Sequence, residues 1–87
     1  MNTTQTIATA TAKLDAAGYA ITSQPDRSRG SISFARKGNL VVSIAGQGDA
    51  VHLAMFIDYG VDGRNWCDSA DLKSVAGIVK RTAGFLR

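Results

Sequence analysis

Apolar residues recur along the first part of the chain with the period of a helix. Ile7, Ala10, Leu14 and Ala17 fall at spacings of three, four and three, which lines one helical face. Asn2 followed by Gln5 resembles a capping box ahead of that run. Gly18 supplies a residue able to stop the helix in the left-handed conformation, with Tyr19 placed to fold back on Leu14. The spacing predicts a helix over roughly Thr3 to Ala17, held by packing because its other face is mostly Thr and Ala.

From Tyr19 the period changes to two. Tyr19 and Ile21 share one side of a short strand that ends at Gln24-Pro25-Asp26. Ile32, Phe34 and Arg36 alternate in a second strand, Leu40, Val42 and Ile44 in a third, and Val51, Leu53, Met55 and Ile57 in a fourth. Requiring apolar residues to share a face sets the register. A loop at Lys37-Gly38-Asn39 opposes Phe34 to Val42 and Ile32 to Ile44, and a loop at Gln47-Gly48 opposes Ile44 to Val51 and Val42 to Leu53. Tyr59 to Trp66 carries two glycines and no period, and reads as an exposed loop.

Asp68 or Ser69 is then the cap of a final helix. Leu72, Val75, Val79, Ala83 and Leu86 lie within an arc of about 80° at the helical turn angle. Asp71 comes early, and Lys80, Arg81 and Arg87 come late, as the helix dipole favours. The predicted fold is α+β and two-layered, in the order α-β-β-β-β-α: a four-stranded antiparallel meander with both helices on one face, forming a single domain over residues 1–87.

Composition narrows the function. Eighty-seven residues, 45% hydrophobic and 20% charged, suit one compact core and leave no chain for a cleft between two lobes. His52 and Cys67 are the only residues of their types, and they fall on a strand and a loop without a supporting catalytic motif. Gly46 and Gly48 join antiparallel strands rather than opening a helix, and Asp58 and Asp62 do not match a calcium-loop spacing. The expectation is a protein that is not an enzyme and holds no cofactor or metal. A lone cysteine excludes an internal disulfide, and no leader or membrane-spanning run is visible, so a cytoplasmic, membrane-free setting is expected.

Ten Lys and Arg against seven Asp and Glu leave a net charge of +3, which permits an anionic partner. Lys73, Gly77, Lys80, Gly84 and Arg87 form one stripe on the final helix, flanked by Arg81. The commoner role of such a stripe is a solvated face; the alternative is a surface that phosphates or an acidic protein can approach closely across the glycines. Ile78 and Phe85 sit between stripe and core, either closing the core edge or anchoring a partner. Trp66 either tucks over the core and seals the join or, with Arg64 beside it, forms a second anchor for a protein partner. The sheet face away from the helices is expected to present Ser31, Ser33, Ala35, Val41, Ser43, Ala45 and Ala54 around His52 and Phe56, a small-residue surface open to a partner, to a second copy in a homodimer, or to a third layer of the fold itself. Arg27 and Arg29 lie at the opposite end of the meander from Arg36 and Lys37, so they do not form one patch.

The order helix, antiparallel meander, helix is similar in topology to the double-stranded RNA-binding domain. That family carries signature lysines at the start of its final helix, where this chain has Ser69-Ala70-Asp71-Leu72-Lys73. As a class, the small cofactor-free α+β chain also resembles the inhibitors made by phages and mobile elements, anti-CRISPR proteins among them. The expectation is a binding protein that occupies the surface of a larger protein or ribonucleoprotein, in the manner of an inhibitor of a bacterial defence complex. The alternative is a nucleic-acid-binding module that uses the basic face of the final helix.

Overall fold

The computed structural model describes residues 2–87. Helix α1 (Thr3–Ala16) is followed by strands β1 (Ala20–Asp26), β2 (Gly30–Lys37), β3 (Leu40–Gln47) and β4 (Ala50–Asp58), a 3-10 turn at Gly60–Asp62, strand β5 (Arg64–Leu72) and helix α2 (Val75–Phe85). All neighbouring strands are antiparallel, in the order β1-β2-β3-β4-β5. The α+β class and the two-layer arrangement are as expected, but the sheet has five strands where four were predicted.

Local chemistry accounts for α1 as anticipated. The Asn2 side chain accepts from the Gln5 backbone N–H at 2.8 Å, and Gln5 accepts in return from the Asn2 N–H at 2.9 Å, so two orphan donors are satisfied. At the other end Gly18 adopts φ +99°, and the Tyr19 and Gly18 N–H groups donate to the carbonyls of Leu14 and Asp15, a Schellman stop. Tyr19 then packs against the core that contains Leu14.

The sheet register departs from the predicted one in two ways. Between β2 and β3, Ala35 opposes Val42 and Ser33 opposes Ile44, a slip of one residue that turns Ile32 and Phe34 away from the helices. Between β3 and β4, Ile44 opposes Leu53 and Val42 opposes Met55, a slip of two residues that preserves the faces. Turn geometry is the cause. Each hairpin turns on two residues, Gly38-Asn39 and Gly48-Asp49, with glycine at φ +62° in the first central position, where a type II′ turn places it. Gly46 on β3 lies under the start of α1, where the Thr3 methyl comes within 3.2 Å of the place a Cβ would occupy.

The core lies between the sheet and both helices. It comprises Ala10 and Leu14 from α1, Ala35, Val42, Ile44, Val51, Leu53 and Met55 from the sheet, and Ile78 and Leu86 from the final segment. Helix α2 begins later than predicted. Ser74, not Asp68 or Ser69, is its cap, with its hydroxyl accepting from the Gly77 N–H at 3.0 Å. The buried arc is correspondingly rotated: Ile78, Thr82 and Leu86 are fully buried, while Val75, Val79 and Phe85 pack at the margin. Ile78 is therefore core, and Leu72 reaches the core from β5 rather than from a helix.

Candidate functional site

Strand β5 organises the surfaces that could meet a partner. Its residues read as loop and helix start in sequence because a bulge opposite Met55 and Phe56 breaks the alternation of side chains. Cys67 is the extra residue, leaving Trp66 opposite Phe56 and Asp68 opposite Met55. Trp66 thus shares the open face with Phe56, while Asp68 joins Met55 on the face that carries the helices.

The open face is more apolar than predicted. Ser31, Ser33 and Ala35 point to the helices, and Ile32, Phe34 and Arg36 take their place beside Val41, Ala45, His52, Ala54 and Phe56. Val41 and Ala45 are 0% and 1% exposed although neither belongs to the main core, so this side of the sheet covers itself. Arg64 crosses from the edge strand, its guanidinium carbon 5.5 Å from the centre of the Phe34 ring and 5.8 Å from that of Phe56, a cation–π arrangement over both aromatics. Asp58 holds the arginines in place. Arg36 donates to it at 2.8 Å, Arg64 Nε lies 3.7 Å away, and the Gly60 N–H donates to its other oxygen at 2.9 Å. The Arg36 hydrogen bond, with the Gly60 N–H and the two positive charges, holds the Asp58 carboxyl below the ordinary aspartate value.

Trp66 does not seal the core: it is 58% exposed, and Tyr59 and Val61 on the adjoining turn are 51% and 104% exposed. These are the large hydrophobic side chains left exposed among the described residues, and all three lie at the β4–β5 end of the sheet.

A second surface lies on the other side of β5. Helix α2 packs over β4, leaving a groove of about 620 Å³ between the helix and the outer strand. Met55, Leu72 and Phe85 give it an apolar floor, and Lys80, Arg81 and Arg87 stand along it with Asp68 as the single carboxylate. Arg81 pairs with Asp68, whereas Lys80 and Arg87 have no carboxylate partner among the described residues. Six of the residues proposed from sequence meet here: Gly77, Lys80, Arg81, Gly84, Phe85 and Arg87. Met55 was legible as a core-facing residue of β4, but Asp68 and Leu72 were missed as members, since the bulged pairing of β5 brings them to the helix-covered face.

The remaining candidates stand apart. Lys73 precedes α2 and donates to Asp49 at 2.9 Å across the end of the sheet. His52 Nδ1 and Asp71 Oδ1 are 2.7 Å apart on paired positions of β4 and β5, so this histidine has a structural partner. Gly77 has a local explanation, because a Cβ there would stand 2.8 Å from the capping Ser74 oxygen, whereas a Cβ at Gly84 would meet nothing. Among the described residues no group of three or more His, Cys, Asp or Glu is placed to hold a metal ion, and no helix is long and apolar enough to cross a membrane. Comparison with protein-family models, with curated proteins and with solved structures finds no match to this chain.

Proposed function

We propose that this protein is a non-enzymatic binding module that acts by seating on the surface of a larger protein. The observation that carries the reading is the exposure of Tyr59, Val61 and Trp66 together at one end of the sheet. Exposed aromatic groups gathered beside an arginine are the chemistry of interface anchors, and covering them removes apolar surface from water. The size and class of the chain suggest an inhibitor of a bacterial defence complex as the form such a module takes.

The alternative, nucleic acid along α2, draws less support. Lys73 and Arg81 are each paired to an aspartate, which leaves Lys80 and Arg87 as the cations without a local counter-charge. A photo-crosslinking residue at Val61 tests the proposal, because that side chain is fully exposed and the fold does not depend on it. In bacterial extract a discrete protein adduct that disappears with Trp66→Ala is the expected result. Adducts to nucleic acid alone, together with binding that falls steeply with log salt, would establish the alternative instead.

A further inference from the structure

We infer that the groove between α2 and β5 binds an acidic amphipathic helix of a partner protein. This second surface is independent of the exposed tip at Trp66. The groove combines an apolar floor of Met55, Leu72 and Phe85 with Lys80 and Arg87, neither of which has a carboxylate partner among the described residues. A helix that carries apolar residues at i, i+3 and i+4 with carboxylates on its flanks satisfies both, in the helix-in-groove mode of recognition. A phosphate backbone would use the two free cations but gain nothing from the apolar floor. A second copy of this chain offers no suitable ligand: α1 bears Asp15 with Lys13, and α2 bears no acid.

Gly84 adds to the case. It lines the groove near the end of α2, its Cβ position is open, and its helix propensity is poor, so nothing in the fold calls for glycine there. Without a side chain at that position an incoming helix can approach the α2 backbone closely.

The test is selection of peptides from a random display library on the full-length protein, followed by affinity measurements on the selected peptides. Enriched sequences should place carboxylates beside an apolar helical stripe. Their affinity should fall about tenfold or more with Lys80→Glu and Arg87→Glu combined, the scale expected when two charge contacts become repulsive. Gly84→Leu should also abolish binding by filling the groove, while its thermal unfolding stays at or above that of the native protein. Trp66→Ala should leave the affinity unchanged, which separates this site from the exposed tip. Selected peptides without acidic bias, affinities indifferent to both groove variants, or a library that yields no binder would overturn the inference. So would displacement of the selected peptides by duplex DNA or RNA.

Discussion

Thr82 provides the sharpest energetic test of the fold. Its side chain is fully buried on the core side of α2, and its hydroxyl is the buried side-chain polar atom without a hydrogen-bond partner among the described residues. Leaving a hydroxyl unpaired in an apolar site costs about 1–3 kcal/mol relative to a satisfied one. Thr82→Val keeps the branched shape and a similar helix propensity while replacing the hydroxyl with a methyl group. The substitution should therefore stabilise the protein by about 1 kcal/mol, or roughly 4–8 °C in melting temperature for a domain of this size. Urea unfolding followed by circular dichroism measures it, with the denaturant slope unchanged because the surface exposed on unfolding is the same. Thr82→Ser, which keeps the hydroxyl and loses the methyl, should move the other way by about 1 kcal/mol. A valine variant no more stable than the native protein would refute the reasoning, since it would mean that the hydroxyl finds a partner in solution.

Other substitutions probe the remaining features. Asn2→Ala removes the reciprocal cap of α1 and should cost about 1 kcal/mol in the same unfolding assay. Gly84→Ala should stabilise by up to about 1 kcal/mol, whereas Gly77→Ala should gain less because its Cβ displaces the Ser74 cap; equal gains at the two sites would contradict the cap geometry. Asp58 has a lowered pKa in the folded protein, so its contribution is complete above the ordinary aspartate value, about pH 4, and is lost as pH falls through the lower folded value. Asp58→Asn should accordingly reduce stability at neutral pH, and the difference from the native protein should shrink below about pH 4 in an acid titration. Cys67 is exposed on the β5 bulge and should react with a thiol reagent in the native state, at the rate of an unfolded control to within about tenfold, without loss of the circular dichroism signal.

The parts of the molecule legible in sequence are those governed by neighbours along the chain. Asn2, Gln5 and Gly18 bound α1 through hydrogen bonds spanning a few residues, so their spacing was sufficient to place it. The alternation in β3 and β4 likewise revealed the core-facing side, because Val42, Ile44, Val51, Leu53 and Met55 lie on the helix-covered face. The stripe residues Gly77, Lys80 and Gly84 were also visible, since one helix carries them, and Arg87 follows just past its end.

The tertiary structure decided the rest. Hydrophobic pattern alone set Ile32 and Phe34 into the core, but the glycine-first turns shift β2 by one residue and direct them outward, where they help cover Val41 and Ala45. Strand β5 has no readable period because it is an exposed edge interrupted by a bulge, and pairing with β4 defines it rather than its own propensities. That pairing carries Trp66 to one side of the sheet and Asp68 to the other, creating the exposed tip and completing the groove. Caps and periods depend on residues a turn apart, and so they are written in the sequence; register and the surfaces built from it depend on which turn closes and which strand pairs, and only the folded chain makes that choice.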